Sequence, residues 1–316
     1  MNALSKLKAR NDAPRLHLLI VADTHIDEKH PQPILPQRRL RCAIKDAQQA
    51  QTKVDAFVVI GDVTSRGSEA NWAMTKAVFQ KTGLPAARTL LAIGNHDTWS
   101  DEGGLTGIER YLTHSAEITG EAHEKTYFST VINGVHLIFL GSEKDFGCEA
   151  QISDEQVAWL TAEMETASQS GFPILVFCHQ PVNLTHGLPR TSCRAETDTD
   201  PLDGGIGIDS DKVRAVLERF DNVFYFSGHS HMGYAGENRF AEEGYASFET
   251  AGGITFVNLP SLACGNHHAE QGRFGLGLQL EVYEHEIILT PRDVQNHCAV
   301  GKLAVQDGKP YFSKNF

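Results

Sequence analysis

Five apolar runs in this chain of 316 residues are each followed closely by a short motif of Asp, His, Asn or Gly. Runs such as 16–22 and 57–60 are almost entirely apolar, which is typical of strands buried on both faces. In open α/β sheets, the polar residues that follow the strands meet at one edge of the sheet. The pattern therefore predicts an α/β fold with one shared site. The motifs are Asp23-Thr24-His25, Gly61-Asp62, Gly94-Asn95-His96-Asp97, Cys178-His179 and Gly228-His229-Ser230-His231.

Helical patterns lie between several of these runs, and Asn133-Gly134 between two apolar runs predicts a β-hairpin. Amphipathic helices are predicted within 38–50, 69–79, 153–164 and 210–220. The chain shows no internal repeat and no linker rich in Pro or Ser. We therefore predict a single domain over 1–316, in which 235–316 form a β-rich part of the same domain.

The residue types of these motifs are those that bind divalent metal ions. Asp, His and Asn supply oxygen and nitrogen ligands, and no Cys is among the candidates. Seven ligands are too many for one tetrahedral site, but they suit two ions that share a carboxylate. Two divalent ions outweigh the charges of two carboxylates, so the site would attract a phosphate-type anion. The candidates are Asp23, His25, Asp62, Asn95, His179, His229 and His231.

The order D-x-H, G-D, G-N-H-D, H and G-H-x-H resembles the calcineurin-like metallophosphoesterase superfamily, and the chain is similar to its small bacterial phosphodiesterases, including class III cyclic-nucleotide phosphodiesterases. The resemblance implies a four-layer α/β/β/α sandwich, in which two mixed β-sheets are flanked by helices. It also implies two ions per chain, of Mn, Fe, Zn or Co. The resemblance gives one ion Asp23, His25 and His231, gives the other Asn95, His179 and His229, and makes Asp62 the bridge.

The resemblance further implies hydrolysis of a phosphoester by a hydroxide shared between the ions. His96 adjoins a ligand, so we expect it to protonate the leaving group or to stabilise charge. Asp97 is expected to orient His96, with a turn or helix-cap role as the alternative. A small phosphodiester is the preferred substrate. The alternatives are a phosphomonoesterase or nucleotide pyrophosphatase of the same fold, and a non-catalytic metal-binding scaffold.

The irregular segment 183–208 follows the strand that carries His179, and Arg190 and Arg194 are its only Lys or Arg residues. We expect these two cations to contact substrate, unless the segment is a surface insertion. The net charge of 28 − 40 = −12 argues against dedicated nucleic-acid binding. No apolar run is long enough to span a bilayer, and the cysteines form no C-x-x-C, so we predict a cytoplasmic location. The sequence leaves the oligomeric state open.

Overall fold

The computed structural model describes residues 13–50, 52–191, 204–234, 245–266, 274–300, 302–306 and 309–313, the last two ranges by their backbone. In chain order the strands are β1 (Leu16–Val21), β2 (Ala56–Ile60), β3 (Thr89–Ala92), β4 (Phe128–Ile132), β5 (Val135–Phe139), β6 (Ile174–Phe177), β7 (Val223–Ser227), β8 (Phe248–Ala251), β9 (Ile254–Asn258), β10 (Leu276–Val282), β11 (Glu286–Asp293), β12 (Cys298–Ala299), β13 (Lys302–Gln306) and β14 (Lys309–Ser313). The α-helices are α1 (Ile34–Gln49), α2 (Glu69–Thr82), α3 (Gly107–Thr119), α4 (Asp154–Ser168) and α5 (Ser210–Leu217).

These strands form two mixed sheets. The first has the order β14-β13-β11-β10-β1-β2-β3, with β12 beside β11. Within it, β1, β2 and β3 are parallel, and β10 joins β1 antiparallel. The second has the order β4-β5-β6-β7-β9-β8, in which β5, β6, β7 and β9 are parallel. Parallel strands that begin at one end of a sheet also end together, so both sheets present several carboxyl ends at one edge.

Three apolar cores separate the layers. Leu18 and Ile20 of β1 point into the core between the sheets, where they join Phe139 and Phe177 of the second sheet. Leu19, the intervening residue, packs instead with the α1–α3 side chains on the outer face of the first sheet. Helices α4 and α5 cover the outer face of the second sheet. The predicted four-layer α/β/β/α sandwich is thus confirmed.

The structure also contains elements that the periodicity did not predict. Helix α3 begins after Thr106, whose side chain accepts a hydrogen bond from the Glu109 backbone while the Glu109 carboxylate accepts one from the Thr106 backbone. Helix α1 begins at Ile34, four residues before the predicted start at 38, with Pro36 in its first turn, where a missing N–H is tolerated.

The strands after residue 245 join both sheets, since β9 pairs with β7 and β10 pairs with β1. This pairing supports the prediction of one domain, which stays a prediction. In the ranges described above, no helix is both long and apolar enough to cross a bilayer.

Candidate metal centre

The seven candidate ligands meet at one end of the sandwich, where strands of both sheets end. Asp23 and His25 follow β1, Asp62 follows β2, Asn95 follows β3, His179 follows β6, and His229 and His231 follow β7. Hydrogen bonds hold these strand ends together. The His25 backbone N–H donates to the Asp62 carbonyl at 2.9 Å within the first sheet, and the His229 N–H donates to the Asp23 carboxylate at 3.1 Å across the sheets.

One set of ligand atoms gathers around Asp23 and His25. His231 Nε2 lies 3.0 Å from Asp23 Oδ1 and 3.1 Å from His25 Nε2, and His25 Nε2 lies 3.6 Å from Asp62 Oδ2. Each of these four residues offers an atom within 4.8 Å of the others. Carboxylate oxygens and imidazole nitrogens that converge in this way fit a borderline divalent ion.

A second set lies on the other side of the same carboxylate. His179 Nε2 lies 3.2 Å from Asp62 Oδ2, and His229 Nδ1 lies 3.3 Å from His179 Nε2 and 3.1 Å from Asn95 Oδ1. Asp62 therefore belongs to both sets. Two donor sets with one shared carboxylate fit a pair of ions better than a single one.

The charges of this cluster also suit cations. Burial alone would raise the pKa of the Asp62 carboxyl, but the charge of His179 keeps that pKa well below its usual range. Burial opposes a charge on His179, yet Asp62 and Asp23 raise its pKa to about 10. Burial lowers the pKa values of His25 and His229 to about 3, so both rings are neutral and can offer a lone pair. Burial opposes a charge on His231 as well, yet Asp23 raises its pKa. The two buried carboxylates therefore attract positive charge to this centre.

Five of the seven candidates have left-handed backbone conformations, with φ between 41° and 67°. Such conformations cost a non-glycine residue about 1–3 kcal/mol and cluster at functional sites, although Asp and His adopt them more readily than bulkier residues do. Each lies just after a strand, where the ladder and the neighbouring loops hold it. The five are Asp23, His25, Asp62, His229 and His231.

Two glycines of the motifs allow ligands to approach the backbone closely. A Cβ on Gly61 would lie 2.5 Å from Nδ1 of His179, and Gly61 also has a φ of 70°. A Cβ on Gly94 would collide with the backbone nitrogen and the carboxylate of Asp62. The glycines therefore leave space for two residues of the centre.

The Gly94→Ala variant is expected to displace Asp62, to lose at least half of the bound metal and to lose on the order of 1–3 kcal/mol of unfolding free energy through overpacking. Elemental analysis and chemical denaturation measure the two effects. Gly83→Ala is the matched control, because a Cβ there meets no atom within 4 Å while its φ of 67° strains the backbone. We expect Gly83→Ala to lose about 1 kcal/mol and to keep its metal. Full metal content in Gly94→Ala would contradict the close approach.

His96 lies beside the two donor sets. Its Nδ1 donates to the Ser65 carbonyl at 2.8 Å, its Nε2 lies 3.9 Å from Asp62 Oδ2, and its side chain is 26% exposed. The Ser65 carbonyl was not predicted to take part, since it belongs to none of the motifs. It orients the His96 ring and leaves Nε2 facing the centre.

The expected contact between Asp97 and His96 is corrected by the structure. The buried Asp97 carboxylate accepts hydrogen bonds from the backbone N–H groups of Val63, Thr64 and Gly94 and from the Thr64 hydroxyl. Burial and the charge of Asp62 raise the pKa of Asp97 to about 7. Asp97 thus ties together the loops that follow β2 and β3, which is closer to the turn role considered as the alternative.

Trp99 is an additional residue beside the centre that the sequence did not single out. The Trp99 ring packs on His96 with their centroids 3.6 Å apart, and its indole N–H donates to the Gly147 carbonyl at 3.4 Å. The neighbouring Phe146 is 51% exposed, and Trp99 is 37% exposed. The position of Trp99, which follows the G-N-H-D motif and Thr98 in the sequence, was the signal that could have identified it as a residue of the site.

Cys264 also approaches the centre, from a loop far from every motif in sequence, and its Sγ lies within 4.8 Å of ring nitrogens of His25 and His231. Cys264 was not among the predicted ligands. Of the two predicted substrate contacts, Arg190 is exposed, and Arg194 lies outside the described residues.

Several known proteins resemble this chain in sequence or in fold. A family model for calcineurin-like phosphoesterases matches residues 16–233. A probable cyclic nucleotide phosphodiesterase from Rhodococcus erythropolis is 24% identical over 316 residues, which cover 95% of this chain and 90% of the relative. A glycerophosphodiester phosphodiesterase from Enterobacter lignolyticus is 26% identical over 178 residues, 56% of each protein. The crystal structure of a dimetal phosphatase from Danio rerio has a similar fold, with a TM-score of 0.63, 14% identity and coverage of 93% and 99% of the two chains.

Proposed function

The chain belongs to the calcineurin-like phosphoesterase family, and on this premise we propose that it hydrolyses phosphodiesters with two divalent metal ions. The observation that carries the proposal is the convergence of two donor sets on one shared carboxylate, Asp62. A structural role for so many polar side chains would not require two sets of imidazoles and buried carboxylates to face one another.

The seven candidates would hold the ions as the resemblance implies. When bound, two divalent ions polarise phosphoryl oxygens and lower the pKa of water, so that a nucleophile is available near neutral pH. Asn95 contributes a neutral oxygen, so its position keeps more positive charge for an anionic phosphate than a carboxylate would leave. The identity of the metals and of the nucleophile stays a prediction.

His96 is the residue proposed to act on the leaving group. The Ser65 carbonyl accepts the Nδ1 proton, so an imidazolium would direct its second proton outward from Nε2, toward the centre. Hydrolysis of an alkyl diester expels an alkoxide, which is a poor leaving group. A positioned acid that protonates this oxygen raises the rate by about 10²–10⁴-fold. A quarter of the side chain is exposed, which gives a substrate access to it.

We favour a nucleotide as the diester, because an apolar surface adjoins this acid. Trp99 packs against His96. The Trp99 indole donates to the Gly147 carbonyl and the Phe146 N–H donates to the Thr98 hydroxyl, so the loop with the exposed Phe146 is held alongside. A nucleobase can stack on such a surface, whereas a glycerol group gains little from it. The relatives include both probable cyclic nucleotide phosphodiesterases and a glycerophosphodiester phosphodiesterase.

The Trp99→Ala variant should lower kcat/KM for a cyclic nucleotide about tenfold, or ~1.4 kcal/mol, within the range of about 1–3 kcal/mol for one stacked base. Hydrolysis of an aliphatic diester such as a glycerophosphodiester should change less than about threefold. Trp99→Phe keeps an aromatic ring and is expected to keep most of the activity. An equal loss on both substrates would instead assign Trp99 to positioning His96.

A substrate panel tests the whole proposal. Metal-depleted protein reloaded with Mn²⁺ would be offered bis(p-nitrophenyl) phosphate, p-nitrophenyl phosphate, cyclic nucleotides, a glycerophosphodiester and a nucleotide pyrophosphate. We expect metal-dependent turnover in which diesters exceed the monoester by at least about tenfold. A faster monoester or pyrophosphate would favour those alternatives, and metal binding without any turnover would favour a scaffold. Substrate contacts by Arg190 and Arg194, and the cytoplasmic location, stay predictions.

A further inference from the structure

Cys264 shares its surroundings with two residues of the first donor set. Its sulfur and ring nitrogens of His25 and His231 all lie within 4.8 Å of one another. Cys264 is partly buried, in the loop that follows β9, and it lies beyond the stretch that the family model matches. The same two histidines also form a cluster with Asp23 and Asp62, so the sulfur approaches a set that already converges.

The loop that carries Cys264 is fastened to the segment that carries Asp23. The Ala263 N–H donates to the Asp23 carbonyl at 3.2 Å, and the Ser261 hydroxyl donates to the same carbonyl at 3.0 Å. The Cys264 N–H then donates to the Ser261 hydroxyl oxygen at 2.9 Å. The backbone of the thiol residue is therefore positioned by the backbone of a candidate ligand.

The distances are close to those needed for one shared ion. Zinc binds sulfur at about 2.3 Å and nitrogen at about 2.0–2.1 Å, so two such ligand atoms at a tetrahedral angle lie about 3.6 Å apart. Because 4.8 Å is an upper limit on the present separations, binding of an ion would draw the ligand atoms together by at most about 1.2 Å. Burial and the charge of Asp23 raise the pKa of the Cys264 thiol to about 12, so Cys264 is a neutral thiol while no ion is bound. The guanidinium of Arg39, which donates to the Ala263 carbonyl, opposes this rise in part.

We propose that Cys264 is a sulfur ligand of the ion held by Asp23, His25 and His231, and that it makes this position selective for a thiophilic ion such as Zn²⁺ over Mn²⁺. On binding, the thiol proton passes to solvent and a sulfur–metal bond takes its place, with no change of oxidation state. Among the residues that the structure describes, the other position has nitrogen and oxygen donors without sulfur, from Asn95, His179 and His229, so the two positions would differ in preference. This inference rests on the proposed dinuclear centre and not on its substrate.

Zinc-edge X-ray absorption of the full-length, zinc-loaded protein tests the inference directly. We expect a sulfur scatterer at about 2.3 Å, averaged over the two ions. The signal should vanish in Cys264→Ser and in Cys264→Ala and persist in Cys42→Ser, the matched control, which changes a partly buried cysteine of α1. In competition between Zn²⁺ and Mn²⁺, the preference for Zn²⁺ at one position should fall at least about tenfold in the Cys264 variants.

The X-ray absorption spectrum of the wild-type protein tests whether sulfur binds zinc even if a Cys264 variant fails to fold. Two bound zinc ions with only nitrogen and oxygen scatterers would overturn the role of Cys264 and leave the dinuclear centre intact. Failure to bind zinc or manganese at all would overturn both this inference and the proposed function.

Discussion

Replacing Asp62 by Asn should remove most of both metal ions and lower phosphodiester hydrolysis by at least about 10³-fold. Its carboxylate faces His25 of one donor set at 3.6 Å and His179 of the other at 3.2 Å. Losing that shared charge weakens both positions at once, and metal ions stabilise such transition states by several kcal/mol, at 1.36 kcal/mol per tenfold in rate. In the wild type, the backbone N–H of His96 donates to the Asp62 carboxylate at 2.9 Å. Asn retains an oxygen that can accept this hydrogen bond, so the loop should keep its fold.

Elemental analysis after gel filtration would measure the metal content, and circular dichroism would check the fold. The matched control is Asp46→Asn, which also removes a buried carboxylate, one that accepts hydrogen bonds from Arg292 and belongs to neither donor set. This control should keep both ions, whatever it costs in stability. Loss of only one ion from Asp62→Asn would assign Asp62 to a single position, and full content would remove it from the centre.

Much of the fold could be predicted because strands buried on both faces are nearly continuous apolar runs. The predicted strand 174–177 coincides with β6 (Ile174–Phe177), and the predicted 16–22 exceeds β1 by one residue. Helix α3 was missed because its buried face, although it recurs at helical spacing, contains the polar residues Arg110, His114 and Ser115 besides Tyr111 and Ile118. Boundaries and caps depend on local hydrogen bonds, which a search for apolar runs does not detect.

The part of the candidate site that could be predicted consists of metal-binding residues that directly follow strands. Residues that reach the site from other parts of the chain could not be predicted. Trp99 and Cys264 reach the centre through tertiary packing, and no spacing relates Cys264 to His25 or His231. The partner of His96 could not be predicted either, because a backbone carbonyl such as that of Ser65 is present at every position in a sequence. Asp97 adjoins His96 in sequence, yet its carboxylate turns to the loop backbone.

The left-handed backbone of five candidate ligands is a further feature that the sequence could not specify. Each such residue costs about 1–3 kcal/mol, so the centre as a whole opposes the stability of the metal-free chain. The two large cores that flank the sheets and the core between them must offset this cost. Bound ions would offset more of it, since a ligand that binds only the folded state stabilises that state.

Replacing His96 by Ala should leave both ions in place and lower the hydrolysis of a diester with a poor leaving group by about 10²–10⁴-fold. The His96 ring belongs to neither donor set. The hydrogen bond from His96 to Asp62 is donated by the backbone N–H of His96, which the variant keeps. A diester that releases p-nitrophenolate needs little protonation, so its rate should fall less than about tenfold. Steady-state kinetics on the two kinds of diester, with metal content measured on the same samples, would separate catalysis from binding.

The loss of rate on the diester with a poor leaving group, divided by the loss on the p-nitrophenyl diester, tests whether His96 is a general acid. A general acid contributes more to the rate when the departing oxygen is more basic. His123→Ala is the matched control, since it removes another partly buried ring, one that stacks on Phe128 away from the centre, and both rates should remain near those of the wild type. Equal losses in His96→Ala on good and poor leaving groups would mean that the imidazolium stabilises charge on the phosphate instead. Loss of metal from His96→Ala would contradict both roles, because the ring would then be needed to build the centre itself.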